Sequence, residues 1–384
     1  MRDIKALFIP TLCSGVTYWR MFNPVKAAIK TGAFGAHLVW WQKALNEIHP
    51  WQFKLESREL YATILNELEA AVRCADIVVM GMIHTEAGLH LVRAIREMHG
   101  KPVVMETDDN ILSTPTYNPA NEYYDPSSKL RILALEQMRE SDAVITTTPH
   151  LKESYSEFNP NIYICPNSLD FNLWGKARRK ASKGKIVVGW SGGASHNADL
   201  DNILPAVKYF ANKYPELVEF KILHGISPEL RKYPNVTWVS KFEEILKYPQ
   251  HIAKQGFDIA VAPLVDNNFN RSKSNLRWLE AAAFGVPCVA SNVGHFKDTI
   301  THGVDGLLCD TPQDFIANIE SLINDRSLRK KIGAQAHITA RKKFNIDTTV
   351  LTYRDIFNEV LDRGQVKKTL VEKESNFKIE AEII

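Results

Sequence analysis

Short apolar runs alternate with longer amphipathic segments along nearly the whole chain, and this alternation restricts the possible folds more than any other feature. Short apolar runs bounded by polar residues are typical of strands that are buried on both faces of a sheet. Longer segments with apolar residues at helical spacing are typical of the helices that cover such a sheet. Repetition of this unit predicts an α/β protein with parallel sheets throughout.

The strand candidates fall into two sets. The first set is 6–10, 77–82, 103–106, 143–146 and 162–165, with helical patterns over 57–75 and 129–140 between them. The second set is 186–190, 219–223, 236–239, 259–262, 288–291 and 307–309. Two separate sets predict two sheets, each with its own core.

A basic, acid-free segment over 176–185 lies between the two sets and marks the domain boundary. At 384 residues the chain is long enough for two domains. We expect the domain organisation to be a first α/β domain over 1–166, a linker over 167–185, a second α/β domain over 186–345, a helix over 346–363, and a polar tail over 364–384. The basic linker is either a solvated hinge or a phosphate contact, and the first is the simpler interpretation.

Composition excludes several classes of protein. The five cysteines are odd in number and include no CxxC pair, which argues against a disulfide framework and a structural zinc site and favours the cytoplasm. No apolar stretch is long enough to cross a membrane, so any membrane contact is expected to be peripheral. The formal charge of +3 is too small to indicate a nucleic-acid partner, which leaves such a partner to local patches.

The segment 257–308 has the pattern of an anion site. A buried strand ends at Pro263, a polar loop follows, and a helix is predicted to begin near Ser274, where free backbone N–H groups attract anions. Arg271 and Lys273 precede this helix and would add their charge to hold a diphosphate. Glu280, further along the same helix, would accept hydrogen bonds from hydroxyl groups such as those of a ribose.

Two adjacent carboxylates, Asp108 and Asp109, follow the strand 103–106. In an open parallel sheet, residues beyond the carboxyl end of a strand face the ligand crevice. The pair would either bind a metal or accept hydrogen bonds from the hydroxyl groups of ligands. For either residue alone, capping of the following turn is the structural alternative. His84 also follows a strand and would either line the ligand crevice or, as the simpler interpretation, serve in packing.

The segment 279–308 carries a resemblance to a known family. The residues concerned are LEAAAFGVPCVAS at 279–291, Gly294, and GVDGLL at 303–308. They resemble the donor-binding region of GT-B glycosyltransferases, particularly the retaining enzymes of family 4. The resemblance implies two Rossmann-like domains with parallel sheets that face each other across a cleft, an acceptor domain over 1–166 and a donor domain over 186–345. It also implies that the helix over 346–363 crosses back to the first domain. In that family the glutamate at the position of Glu280 holds the ribose of a nucleotide sugar. A second family glutamate, eight residues earlier, is replaced here by Ser272, which suggests that Lys273, Ser274 and Asn275 line the pocket instead.

The resemblance extends to two glycine-containing loops. Gly192 and His196 follow the strand 186–190 and look like the first strand-to-helix turn of the donor domain, although His196 would equally suit a helix start with no ligand. Gly15 resembles the glycine of the first loop in these enzymes, or is part of a tight turn.

The first 51 residues contain a group of aromatic side chains that allow two interpretations. They form either a stacking surface or, as aromatic residues at helical spacing usually do, part of a core. The residues are Tyr18, Trp19, Phe22, Trp40, Trp41 and Trp51.

The resemblance implies a glycosyltransferase that moves a sugar from a nucleotide diphosphate donor to a hydroxyl acceptor with retention, without metal and without a cofactor. The acceptor would be a surface polysaccharide or lipid-linked glycan. Asp108, Asp109, Arg271 and Lys273 are then the catalytic candidates, and Gly15, Gly192, His196, Ser274, Asn275 and Glu280 the donor-binding candidates. The alternatives are a phage-type enzyme that modifies a DNA base, a nucleotide-sugar epimerase, and a non-catalytic nucleotide-sugar or glycan-binding protein.

Overall fold

The structure is a computed structural model, and it describes residues 2–10, 15–39, 67–180, 184–240 and 246–382, with side chains as far as residue 364. The predicted helix over 57–75 lies partly outside these ranges, and its described part, 67–74, is helical. Trp40, Trp41 and Trp51 lie outside them altogether.

The first sheet has six parallel strands in the order β2-β1-β3-β4-β5-β6. Its strands are β1 (Lys5–Ile9), β2 (Gly35–Leu38), β3 (Ile77–Gly81), β4 (Val103–Glu106), β5 (Ala143–Thr146) and β6 (Ile162–Ile164). The residues of β3, β4 and β5 are buried along their whole length, as expected for central strands between two helical layers. All five predicted strands are confirmed, and the edge strand β2 was not predicted.

The second sheet also has six parallel strands, in the order β12-β11-β10-β7-β8-β9. They are β7 (Ile186–Gly192), β8 (Val218–His224), β9 (Val236–Val239), β10 (Ile259–Ala262), β11 (Cys288–Ser291) and β12 (Leu307–Cys309). These six strands match the second predicted set. Two parallel α/β sheets confirm the predicted fold class.

Helices connect the strands on both sides of each sheet. In the first domain they are α1 (Gly15–Thr17), continued by a π-helical turn (Tyr18–Phe22) into α2 (Asn23–Thr31), then α3 (67–74), α4 (Glu86–His99), α5 (Asn121–Tyr124), α6 (Lys129–Glu140) and α7 (Pro149–Tyr155). From the domain boundary onward they are α8 (Phe171–Trp174), α9 (Asn197–Leu200), α10 (Leu204–Lys213), α11 (Tyr248–Gln255), α12 (Asn268–Arg271), α13 (Leu276–Ala283), α14 (Gly294–Thr299), α15 (Pro312–Asn324), α16 (Arg326–Lys343) and α17 (Ile346–Glu382).

The last helix, α17, returns to the first domain and completes its core. Tyr353 and Phe357 of α17 pack against Phe8 of β1 and Phe34, with ring centroids 5.1–6.4 Å apart. These rings belong to one buried apolar cluster with residues of β1, α2 and β3. The helix continues to Glu382, beyond residue 363, where the sequence prediction ended it.

Two chain segments join the domains, and they are hydrogen-bonded to each other. Leu169 donates its backbone N–H to Phe344 O at 2.8 Å, and Ile346 donates to Leu169 O at 3.0 Å. Beside them, Trp19 of the first domain packs on Trp174 of α8, with centroids 6.1 Å apart. Tyr18 and Trp19 are buried in an apolar cluster with residues of the second domain, which confirms the core interpretation for these two rings.

Candidate active site in the interdomain cleft

The loop between β10 and α13 crosses the cleft and contacts the first domain. Lys273 Nζ donates to Asp109 Oδ1 at 2.5 Å, and Asn110 Nδ2 donates to Ser272 Oγ at 2.9 Å. Thr148 Oγ1 donates to the backbone O of Ser272 at 3.1 Å. Lys273 and the neighbouring Ser272 therefore face the carboxyl ends of the strands of the first sheet.

Asp108 and Asp109 lie in a cavity of about 160 Å³ at the carboxyl ends of β3 and β4. Both are half-buried. His84 and Tyr124 line the same cavity, and their Nε2 and hydroxyl oxygen are 3.1 Å apart. Burial lowers the pKa of His84 to about 4, so its ring is neutral at pH 7. A neutral imidazole, a phenol and two carboxyl groups are well suited to binding hydroxyl groups.

The two aspartates titrate differently because they have different neighbours. Burial, and then the charge of Asp109, raise the pKa of Asp108 to about 7. Burial would also raise the pKa of Asp109, but the charge and hydrogen bond of Lys273 outweigh it and lower that pKa below its usual value. At neutral pH, Asp109 is therefore ionised, while Asp108 is present in both its protonated and its ionised form.

Arg271 does not join Lys273. Its Nε and Nη2 donate to the two carboxylate oxygens of Asp266 at 2.6 and 2.9 Å on a half-exposed surface. Its backbone packs against Gly294, where a Cβ would lie 2.6 Å from Arg271 O. The guanidinium lines a neighbouring pocket with Lys297, so the two basic residues that the sequence placed at one anion site are separated.

The start of α13 is fixed by buried polar side chains. Ser274 Oγ accepts from Asn167 Nδ2 of the linker at 3.0 Å. Asn275 is completely buried and donates to Thr299 Oγ1 at 3.1 Å, so it stabilises the loop. Ser272, also buried, donates to Asn268 O at 2.9 Å. Of the Lys273, Ser274 and Asn275 trio, the lysine has the charge and the position to contact a ligand in the cleft.

Glu280 lies on α13 and is buried. Arg277 Nη1 donates to its Oε2 at 2.9 Å, and the Tyr248 hydroxyl donates to the same oxygen at 3.4 Å. The Tyr248 hydroxyl is in turn 2.8 Å from Ser191 Oγ, at the end of β7. Burial raises the pKa of Glu280, and the charge of Arg277 opposes that shift.

The role of Arg277 was not predicted from the sequence, because it depends on contacts that form only in the folded protein. A Cβ on Gly192 would lie 2.5 Å from the Trp190 ring and 3.3 Å from Arg277 Nη2. Gly192 therefore allows the arginine and the tryptophan to pack at the carboxyl end of β7. An arginine three residues before a glutamate on a helix was the available signal, and it is a common surface pattern.

His196 is held by a buried carboxylate. Its Nδ1 lies 2.8 Å from Asp199 Oδ2, and Asp199 Oδ1 accepts from Asn270 Nδ2 at 2.7 Å and from Val265 N at 2.8 Å. The His196 side chain is 16% exposed. Burial lowers its pKa, and the nearby charge of Lys273 acts in the same direction. The histidine is thus oriented beside Lys273.

A buried ion pair links the cleft to α17, and the sequence analysis did not find it. Arg20 Nε and Nη2 each donate to the Glu106 carboxylate at 3.0 Å, and Tyr353 of α17 donates to Glu106 Oε1 at 2.6 Å. Arg20 Nη1 also donates to Asn167 Oδ1 at 3.0 Å, and Asn167 contacts Ser274. Gly15 begins the helical segment that carries Arg20, with open space where a Cβ would be.

The described residues contain neither a metal-binding cluster nor a membrane-spanning helix. Within the described ranges, His, Cys, Asp and Glu side chains do not gather in groups of three that could hold a metal ion. No helix in this part of the chain is both long and apolar enough to cross a bilayer.

Comparisons with known proteins place the second domain in a family. Residues 185–325 match the family model described as Glycosyl transferases group 1. A stretch of 85 residues is 32% identical to N-acetyl-alpha-D-glucosaminyl L-malate synthase from Bacillus anthracis and covers 22% of each chain. Glycogen synthase from Mycobacterium tuberculosis is 22% identical over 313 residues, which are 72% of this chain and 74% of that enzyme.

A solved structure extends the likeness to both domains. Anabaena HepE in complex with UDP superposes with a TM-score of 0.63 at 16% identity, and the match covers 93% of this chain and 100% of the other. The prediction of a glycosyltransferase is confirmed at the level of domain family and fold: residues 185–325 are a Glycosyl transferases group 1 domain, and the two domains together have the GT-B fold.

Proposed function

We propose that this protein transfers a sugar from a nucleoside diphosphate sugar, held mainly by the second domain, to a hydroxyl acceptor in the cavity of the first domain. The observation that carries the proposal is the contact between Lys273 and Asp109. It joins the loop before α13 by a hydrogen bond to Asp109, one of the two adjacent carboxylates that follow β4. A donor diphosphate beside Lys273 would therefore place its sugar next to Asp108 and Asp109.

The second domain offers the groups that a nucleoside diphosphate needs. Lys273 supplies a cation, His196 a neutral hydrogen-bonding ring, and Glu280 a buried acceptor behind Gly192. In this proposal Lys273 stabilises the negative charge that grows on the leaving diphosphate, and the reaction needs no metal. Glu280 contacts the ribose, with Arg277 and Tyr248 fixing its carboxylate.

The first domain offers the groups that an acceptor needs. The charge of Lys273 keeps Asp109 ionised. Asp109 and the ionised form of Asp108 accept hydrogen bonds from sugar or acceptor hydroxyls. The bond between the anomeric carbon and the diphosphate oxygen breaks, and the bond from that carbon to the acceptor oxygen forms. The acceptor proton moves to the leaving diphosphate on the same face of the sugar, which retains the anomeric configuration. The protein contributes mainly orientation and charge stabilisation.

The donor and acceptor classes are narrower proposals. HepE has been crystallised with UDP and with UDP-glucose, so a uridine diphosphate hexose is the first donor to test. A polysaccharide or lipid-linked glycan is the first acceptor class, because the cavity around Asp108 is lined by groups that bind hydroxyls. The site of action that we propose is the cytoplasm, where nucleotide sugars are available.

The test is a donor-consumption assay. Purified protein is incubated with UDP-, GDP- and ADP-hexoses, with and without EDTA, alone and with a panel of glycan acceptors, and nucleoside diphosphate and glycoside are measured. We expect release of nucleoside diphosphate that depends on acceptor and persists in EDTA, and an α-linked product from an α-linked donor.

Other outcomes identify the rival functions. Conversion of the donor sugar without acceptor would indicate an epimerase. Saturable donor binding without turnover on any acceptor would indicate a binding protein. Transfer to hydroxymethylated DNA and not to glycans would indicate the phage-type activity.

A further inference from the structure

Helix α16 carries a concentration of positive charge that no other described helix has. Its 18 residues, Arg326–Lys343, include seven lysines and arginines and no aspartate or glutamate. The whole chain has a formal charge of +3, so the residues outside α16 sum to −4. The charge of the molecule is therefore strongly asymmetric, with α16 as its positive pole.

The charges of α16 are not neutralised by the described part of the protein. Lysines and arginines on other helices mostly form ion pairs, for example Arg93 with Glu140 and Lys213 with Glu320. No cation of α16 forms an ion pair with a carboxylate of the residues that the structure describes. Arg329 donates to the backbone O of Leu322, and the Arg341 guanidinium lies over the Phe171 ring, but neither contact neutralises charge. The positive field of α16 is thus open to a partner of opposite charge.

The exposed side of α16 has a definite pattern, which we call the basic face. With about 100° of rotation per residue, Ala334 and Ile338 lie along the middle of the exposed side. Arg326, Lys330 and Arg341 lie on one flank, and Lys331 and Lys342 on the other. Ile338 is 57% exposed, although the opposite side of the helix is buried. The basic face is therefore an apolar midline between two rows of cations.

The basic face is presented rigidly. On the buried side, Gly333 packs on Gly285 so closely that a Cβ on Gly333 would lie 2.0 Å from Gly285 O. His337 Nδ1 lies 2.9 Å from Ala282 O, at the end of α13. The helix is thus fixed against α13, which carries Glu280. A partner on the basic face would lie behind the donor-binding helix and leave the cleft open.

We propose that the basic face binds an anionic lipid bilayer. Lysine and arginine on both flanks of a helix that lies in the interface reach phosphate headgroups, and an apolar midline enters the boundary between headgroups and acyl chains. Each basic residue near an anionic membrane strengthens binding about fivefold. Nucleic acid is the less suitable polyanion, because the middle of the face offers Ala334 and Ile338 where base or sugar contacts need hydrogen-bonding groups. The proposal does not depend on the glycosyltransferase activity.

The experiment is vesicle co-sedimentation of the full-length protein. Vesicles of phosphatidylcholine alone are compared with vesicles that also contain phosphatidylglycerol, at low and high salt. We expect binding to the anionic vesicles that high salt reverses, and no binding to phosphatidylcholine alone. The triple variant Lys330→Gln/Lys331→Gln/Lys342→Gln should lose roughly a hundredfold in binding, at about fivefold per cation.

Two matched variants separate this proposal from nonspecific charge effects. The control Lys152→Gln/Lys208→Gln/Lys254→Gln removes the same charge from exposed lysines elsewhere and should bind almost as wild type. Ile338→Asn should weaken vesicle binding about fivefold without changing charge, because partial burial of its side chain is lost. Thermal unfolding of each variant checks that the fold is retained.

The proposal is overturned if wild-type protein ignores anionic vesicles, or if the triple variant and its control bind them equally. It is also overturned if duplex DNA binds more tightly than the vesicles and Ile338→Asn leaves vesicle binding unchanged, since the face would then be a nucleic-acid surface.

Discussion

The ammonium group of Lys273 in the second domain lies 2.5 Å from a carboxylate oxygen of Asp109 in the first, and this contact spans the cleft. The Lys273 side chain is 18% exposed and also lies over the Phe269 ring, 4.3 Å from its centroid. A partly desolvated ammonium group that is held in one place binds an anionic ligand more strongly than the ammonium group of a flexible surface lysine does.

Lys273→Met should therefore weaken binding of a nucleoside diphosphate about 10- to 100-fold, the usual value of a hydrogen bond to a charged group. Calorimetric titration with UDP, GDP and ADP measures the effect. The exposed Lys208 on α10 provides the control, since Lys208→Met removes the same charge from a side chain that lines neither of the two pockets between the domains. Equal affinities of the two variants would refute the role of Lys273.

Glu280→Gln should reduce affinity for the donor nucleoside at least tenfold, because an amide is a weaker acceptor for ribose hydroxyls and no longer matches Arg277. The same titration measures this loss. Glu216→Gln, at a side chain that is 93% exposed, is the control and should leave affinity unchanged. If Glu280→Gln bound the nucleoside as tightly as the wild type does, a residue other than Glu280 would have to contact the ribose.

The rate should depend on pH through Asp108. Its pKa of about 7 means that the accepting, ionised form grows about tenfold between pH 6 and 8, and kcat/KM should rise accordingly. Asp108→Asn should remove this dependence and lower the rate at pH 8. A wild-type profile that is flat from pH 6 to 8 would be incompatible with the proposed role.

The raised pKa of Asp108 also determines how the free energy of unfolding depends on pH. The folded state holds the Asp108 proton up to about pH 7, whereas an unfolded aspartate loses it near its usual pKa of about 3.9. This residue therefore contributes stability at low pH that is lost as the pH rises through 7. Asp108→Asn should remove this term, which denaturant titrations at pH 5 and 8 measure.

The buried pair of Arg20 and Glu106 should matter for folding. Arg20→Met leaves a buried carboxylate with only Tyr353 as a partner, and the free energy of unfolding should fall by about 3–5 kcal/mol. The double variant with Glu106→Gln should lose less than the sum of the two single variants. Lys232→Met breaks the ion pair with Glu229, in which both side chains are more than half exposed, and should cost less than about 1 kcal/mol. Equal losses in Arg20→Met and Lys232→Met would contradict this assignment.

Gly333→Ala should destabilise the second domain by about 1–3 kcal/mol, because its Cβ would overlap the backbone of Gly285. Gly364→Ala places the same methyl group on α17 in open space and should be neutral or stabilise the helix by up to about 1 kcal/mol. Urea denaturation distinguishes the two. If both variants have wild-type stability, α16 and α13 are not packed as described.

Strands were predictable from the sequence wherever they are central. The uninterrupted apolar residues of 77–82 and 259–262 can be buried only between two layers of helices. The edge strand β2 (Gly35–Leu38) was missed because three of its four residues are small or polar and none of the four is buried, so the sequence lacks the apolar signal of a strand.

The candidate site was predictable in part. The position of Asp108 and Asp109 follows from the rule that carboxyl ends of parallel strands share one edge. The sequence could not show that Lys273 turns to Asp109 while Arg271 pairs with Asp266, since both are basic residues in the segment just before α13. Pairs such as Arg20 with Glu106, 86 residues apart, are determined by the tertiary fold.

The return of α17 to the first domain has a consequence for the order in which the chain folds during synthesis. Tyr353 and Phe357 fill the core beneath β1, so the first domain lacks part of its interior until these residues of α17 have been synthesised. The second sheet, in contrast, is built from the contiguous strands between Ile186 and Cys309, and α16 follows them closely. We therefore expect the second domain to be the first folded unit on the ribosome, and the N-terminal half to be the part that chaperones protect.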